Sequence, residues 1–198
     1  MITIAIPKTY TEPDSKSNYT KLTPGTHRLR VLGDAITGWV WWLDTADGGR
    51  KPIRVMENEP VPVETGGNAK KFMAFPVLNY QSGNIQIWEV TQKSIKQDLL
   101  GYEADPDWGD LTTYDITVTR TGQTLQDTKY STSPKPKQPL NEEVQKDIVD
   151  NGLPELRALY FSEDPFTYVL TKEQEKELEE RAKSKKEDVE VDTDNLPF

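Results

Sequence analysis

The sequence predicts a mainly β domain followed by a charged extension poor in apolar residues. Three observations support this. Two extended runs, residues 70–80 and 84–90, are joined by Gln81-Ser82-Gly83 and read as a β-hairpin. Of three extended runs ahead of it, residues 26–32 and 51–56 alternate apolar and polar residues with the period of a strand, and residues 36–43 carry tryptophans on both faces. Finally, the chain is only 34% hydrophobic and has a mean hydropathy of -0.73, low for 198 residues packed throughout. A compact part and a solvated part are therefore expected.

Taken in order, residues 1–23 are rich in Thr, Ser, Asn and Lys and predict a loose arm. In residues 26–32 alternation turns Leu29 and Val31 inward and gives Arg28 and Arg30 the opposite face. Residues 36–43 hold three tryptophans in four positions; Trp39 and Trp41 share one face and Trp42 takes the other. The turn at residues 44–49 leads to residues 51–56, where Arg54 lies opposite Ile53 and Val55. Residues 57–68, with two prolines and Gly66-Gly67, predict a loop. In the second hairpin strand Ile85 and Ile87 share a face, which turns Gln86 and Trp88 outward. Thr91 is placed to cap a helix carrying Ile95 and Leu99, stopped at Gly101. An acidic turn spans residues 103–110. Tyr114, Ile116 and Val118 mark a further strand, and residues 128–132 a weaker one. Residues 133–139 alternate Pro with Lys and Gln and predict a polyproline-type exit. Beyond it, residues 141–170 predict short helices that pack back. Residues 171–186 predict a charged helix held by pairs such as Glu177–Arg181 and Glu179–Lys183, and residues 187–195 should be disordered.

This order matches a five-stranded Greek-key OB barrel, whose one helix falls between its third and fourth strands. A β-sandwich fits it too. The expected division is an arm at 1–23, the β domain at 24–140, a helical extension at 141–170, and a charged helix with an acidic tail at 171–198.

Composition removes several classes. Without Cys there is no disulfide framework and no thiolate metal site. No run approaches the roughly 18 apolar residues of a membrane helix, and the first residues lack the charged flank of a signal peptide. A soluble cytoplasmic protein is expected. The net charge of -9 is unevenly placed. Residues 1–140 carry 16 basic and 16 acidic side chains, whereas residues 141–198 carry 8 and 17. A neutral body leaves room for a locally basic groove, because the field that matters for a ligand is local. Aromatic rings beside Lys and Arg on an exposed sheet form a platform for unpaired bases and their phosphates.

From residue 17 to residue 139 the body resembles the OB-fold single-stranded DNA-binding proteins of tailed bacteriophages. The matching pieces are Gly38-Trp39-Val40-Trp41-Trp42, then Lys70-Lys71-Phe72-Met73-Ala74-Phe75-Pro76-Val77 with Trp88-Glu89-Val90-Thr91-Gln92-Lys93, and Asp107-Trp108-Gly109-Asp110 leading to Tyr114-Asp115-Ile116. Separately, Asp192-Thr193-Asp194-Asn195-Leu196-Pro197-Phe198 is similar to the acidic tip with which bacterial single-stranded DNA-binding proteins recruit replication and repair enzymes. The resemblance implies sequence-independent, non-catalytic binding of single strands during phage replication and recombination, in the bacterial cytoplasm and without a cofactor. The zinc site of some phage members should be missing, given one His and no Cys. By position, Trp39, Trp41, Phe72, Phe75, Tyr80 and Trp88 are the stacking candidates. Arg28, Arg30, Arg54, Lys70 and Lys71 are the phosphate candidates, and Asp192, Asp194, Leu196, Pro197 and Phe198 would meet protein partners.

Two rivals remain. A β module that binds protein or carbohydrate would also expose rings. An enzyme would have to work with His27 alone, since no Cys–His or Ser–His arrangement stands out; a carboxylate-metal nuclease is its remaining form. The turn from Asp105 does not fit a calcium loop, because Gly109, Asp110 and Ile116 occupy its fifth, sixth and twelfth positions. The acidic tail separates the readings, since on a strand binder it competes with DNA for the basic groove. Removing residues 187–198 is expected to tighten binding of oligo-dT and flatten its salt dependence in fluorescence titrations; equal affinity with and without the tail would exclude the competition.

Overall fold

In a computed structural model, residues 17–183 apart from 66 and 125 are described, with the side chain of residue 64 also excluded. Residues 1–16 of the expected arm, the tail after residue 183 and all five tip residues lie outside them. The described chain is mainly β. Seven strands run β1 (Gly25–Val31), β2 (Ile36–Asp44), β3 (Arg50–Met56), β4 (Lys70–Asn79), β5 (Asn84–Val90), β6 (Asp115–Thr121) and β7 (Lys129–Pro134). They form one antiparallel sheet in the order β3-β2-β4-β1-β6-β7, with β5 on the other edge of β4. The strand number is thus seven rather than five. The helix α1 (Lys93–Ala104) falls between the fifth and sixth strands, and hydrogen bonding leaves the sheet open.

β4 organises the sheet. Its first half pairs with β2, from Ile36↔Ala74 to Val40↔Lys70. Its second half pairs with β1, from Leu29↔Asn79 to Val31↔Val77. β1 and β2 therefore follow one another along the same edge, and Leu32 N–H bonds Pro76 O (2.9 Å) between them. Four residues, 32–35, stand there opposite Phe75 and Pro76, so the two strands are one long strand bent at a bulge. β2 and β3 approach closely at Gly38, where an added Cβ would lie 2.0 Å from Val55 O. In the β4–β5 hairpin Asn79 faces Asn84. Tyr80 thus belongs to the turn, and Gly83 takes the positive φ (68°) that closes it.

Both sides of this sheet are covered, which alternation alone did not reveal. On the first side Leu29, Val31, Phe75, Val77, Trp88 and Val90 pack with Ile95 and Leu99 of α1 and with Tyr114, Ile116 and Val118. Phe75 and Trp88 face each other across the hairpin with ring centroids 5.9 Å apart. On the second side Val40, Phe72, Ala74 and Ile87 pack under Leu156 and Leu159, in a 3-10 turn spanning Leu156–Phe161. Trp88, expected to face outward, is 1% exposed, because α1 and the first core cover its side. Arg54 is also buried, whereas Ile53 and Val55 are only half-buried, the reverse of the expected orientation.

α1 begins after Gln92, not at a Thr91 cap, and Gly101 lies inside it. The chain leaves the helix at Asp105, just before Pro106, which disfavours helical backbone at the residue before it. Residues 17–20, expected to be loose, lie along β5: Thr20 N–H bonds Ile87 O (2.9 Å) and Ile87 N–H bonds Asn18 O (2.8 Å). The proline-rich exit is held as well, since Pro134 pairs with Ile116 and Gln138 N–H bonds Thr113 O (3.1 Å). Helix α2 (Glu142–Asn151) is capped by Asn141 and buries no residue. Helix α3 (Lys172–Lys183) buries Leu178, and Arg181 grips Glu59 with two bonds of 2.6 and 2.7 Å. The pairs Glu177–Arg181 (3.6 Å) and Glu179–Lys183 (3.8 Å) form as expected.

Because Leu159 fills the second core, Leu159→Ala should cost about 2–5 kcal/mol, measured as a lower urea midpoint with an unchanged slope. An unaltered midpoint would mean that the 3-10 turn does not close that side.

Candidate nucleic-acid interface

The eleven residues expected in the DNA-binding groove separate into three groups. Phe72, Phe75 and Trp88 are buried in the two cores, and Trp41 is buried outside them at 6% exposure, so none of the four presents an open ring face for stacking. Arg30 and Arg54 are buried cations with fixed partners. Arg54 Nε donates to Glu89 Oε2 at 2.6 Å, between side chains 7% and 13% exposed. Burying an unpaired guanidinium would be prohibitive, so a strand arginine turned under the second cover brings its carboxylate with it. The remaining five, Arg28, Tyr80, Trp39, Lys70 and Lys71, reach the surface or lie half-buried against it.

Arg28 and Tyr80 belong to a network built on Asp115, the first residue of β6. Asp115 is fully buried. Its carboxylate accepts from Arg30 Nε (2.5 Å), Arg28 Nε (2.6 Å), Gln138 Nε2 (2.7 Å) and Tyr80 Oη (3.1 Å). Arg30 also donates to Gln138 O. Two guanidinium groups thus share one carboxylate and leave a surplus positive charge, carried outward by the half-exposed Arg28. That guanidinium lies 4.4 Å from the centroid of the Tyr80 ring. Burial, and then the neighbouring Asp115 charge, raise the Tyr80 pKa.

Trp39 and Lys71 meet on the other side of the sheet, because Trp39 pairs with Lys71 across β2 and β4. The Lys71 ammonium lies 5.3 Å from the Trp39 ring centroid and 2.6 Å from Glu57 Oε1. Trp39 Nε1 donates to Glu57 O (3.3 Å). Lys96 of α1 joins them by donating to Lys71 O (2.6 Å). Its pKa is lowered, by burial and then by the Lys71 charge. The Lys71 hydrogen bond is the largest cause holding the Glu57 carboxyl below its ordinary range. From this cluster the same sheet side continues along β2 and β3 through Val55, Ile53 and Leu43 to Lys51. Lys96 was not among the expected residues; its place one residue after the buried Ile95 is the only sign of it in the sequence.

Hairpin β2–β3 also projects past the sheet. β2 is bonded to β4 only as far as Val40 but to β3 as far as Asp44. Trp42 and Leu43, on this projection, are 42% and 50% exposed. Among the described residues no group of three or more His, Asp or Glu is placed to hold a metal ion, and none of the helices is long and apolar enough to cross a membrane. His27, the lone His, is buried on β1 with Nε2 bonded to Thr23 O (2.8 Å). In comparisons with known proteins the chain matches no family model, no curated protein and no solved structure.

Asp115→Asn should destabilise the protein by about 3 kcal/mol or more, since it leaves two guanidinium groups without their counter-charge. Thermal melting checks this, and a loss below about 1 kcal/mol would mean that solvent reaches the network.

Proposed function

We propose that this chain is a sequence-independent single-stranded DNA-binding protein built on an OB-type barrel. The observation that carries the reading is the Lys71 ammonium over the Trp39 ring, beside Lys96, at one end of a half-open apolar strip that ends in Lys51. Rings that accept base faces and cations that track phosphates are the two components such binding needs, and neither depends on sequence. Arg28 over Tyr80, with its surplus charge, supplies a second contact on the opposite side of the sheet.

The barrel reading rests on connectivity. Joining β1 and β2 into one bent strand leaves β5-β4-(β1β2)-β6-β7, five strands, with β3 as an added hairpin arm. Bulges of this kind produce the curvature a barrel needs, and OB barrels are partly open. Helix α1 follows β5 in the chain and shares the first core with its Trp88 and Val90. Tyr102 Oη of α1 bonds Thr132 O (3.0 Å), and Thr132 Oγ1 donates to Asp98 (2.7 Å), tying the helix to β7.

On this reading the protein has no catalytic role. It covers unpaired strands during phage DNA replication, recombination and repair in the bacterial cytoplasm, and residues 192–198 meet the partner enzymes. A tryptophan-fluorescence titration with oligo-dT, repeated with duplex and at raised salt, tests it. Binding should favour the single strand and weaken with salt. Trp39→Ala should lower affinity by roughly five- to a hundred-fold, the worth of about one stacked base. Lys71→Ala should reduce the salt slope by about 0.7, one phosphate contact on a single strand. Absence of binding, or equal binding of duplex, would refute the reading.

A further inference from the structure

Where β4 begins at Lys70, a notch of about 470 Å³ opens between the projecting end of β2 and Thr65, Asn68 and Lys70. Trp42, Leu43, Arg50, Thr65 and Lys70 are among the residues that line it. Three features make the notch more than a surface irregularity. Trp42 is the most exposed tryptophan among the described residues, and its ring lies on the same sheet side as Lys70. Its main chain is unpaired on the notch side. Thr45 N–H bonds Gly49 O (2.9 Å) on the β3 side, so strand alternation turns the N–H and C=O of Gly38, Val40 and Trp42 to the opposite side, where β4 lies beside the first two. Because β4 has ended there, no described residue bonds them. Finally, Lys70 and Lys51 form no ion pair among the described residues, whereas Arg50 is engaged by Asp44 at 3.1 Å.

We propose that the notch holds one unpaired nucleobase of a DNA strand, stacked on Trp42, with its Watson–Crick edge on the Trp42 main chain and a flanking phosphate on Lys70. This rests on the single-strand reading above and assigns it a site that discriminates against duplex. A strand residue offers one donor and one acceptor side by side. The Watson–Crick edge of every base carries a donor next to an acceptor, so the contact is indifferent to sequence. In a duplex that same edge is occupied by the complementary base, so only an unpaired base fits. A peptide added as a strand is the poorer occupant, because only Trp42 and Asp44 offer main chain to the notch, too short a run for β-augmentation.

The test uses the full chain and short oligonucleotides at fixed salt. Trp42→Ala should bind oligo-dT about tenfold more weakly or worse, Trp42→Phe close to wild type, with melting temperatures close to wild type because the ring belongs to neither core. An oligomer of N3-methylthymidine, which keeps the ring face but blocks the Watson–Crick edge, should bind the wild type several-fold more weakly than oligo-dT. The same methylation should make little difference to Trp42→Ala. If Trp42→Ala binds oligo-dT as tightly as wild type, or if methylation leaves wild-type binding unchanged, the notch does not hold a base. Should Trp39→Ala still weaken binding in that case, the general reading survives and this site alone is lost. Wild-type protein that binds no oligo-dT removes both.

Discussion

Strand β4 is hydrogen-bonded along both edges and packed on both faces, and the other elements take their places from it. One edge carries β5; the other carries β2 and then β1 in succession, which is possible only because the chain between those strands bulges. Its odd-numbered residues feed the core under α1, and its even-numbered residues feed the core under the 3-10 turn at Leu156–Phe161. A strand used this fully must be apolar on both faces, and from Phe72 to Leu78 it is, with Met73 the least buried. Polar and charged residues remain only at its ends, Lys70 and Lys71 beyond the pairing with β5 and Asn79 before the turn.

The same constraint decides the fate of the cations. Arginines on alternating strand positions are equally available to a phosphate and to a buried carboxylate. Once the second side of the sheet is covered, desolvation leaves only the carboxylate, and Arg30 and Arg54 become internal ties to Asp115 and Glu89. The ties have long reach in sequence. Asp115 draws β1, β6, the turn after β4 and the exit at Gln138 to one point, so the proline-rich segment is fixed by electrostatics rather than by pairing alone. Charge remains for a ligand at the surface, on Lys51, Lys70 and Lys96 and on the outer ends of the Arg28–Asp115 and Lys71–Glu57 pairs.

Function, on the reading proposed, belongs to the margins of the sheet. Of the rings that are free to meet a ligand, Trp42 sits where β2 outruns β4 and Tyr80 in the turn after β4, while Trp39 lies one residue from the end of the β2–β4 pairing. A ring in the middle of the sheet is worth more as core, where its whole area leaves water. A ring at the margin keeps one face for a base.

Much of this was legible in the chain itself. Extended runs located the strands, several of them by period-two alternation, the Gln81-Ser82-Gly83 link located the central hairpin, and Ile95 with Leu99 located the inward face of α1. Alternation reports which residues share a side of a strand, because Cβ atoms point up and down in turn. It carries no information on what lies above that side. Phe72 and Trp88 therefore read as a pair of candidates for an open platform, and only packing showed one under residues 156–159 and the other under α1. The placement of Lys96 beside Lys71, and the unpaired main chain at Trp42, depend on where one strand stops relative to another. That register is set by contacts between residues far apart in sequence, so local pattern determined the strands and tertiary pairing alone determined the site.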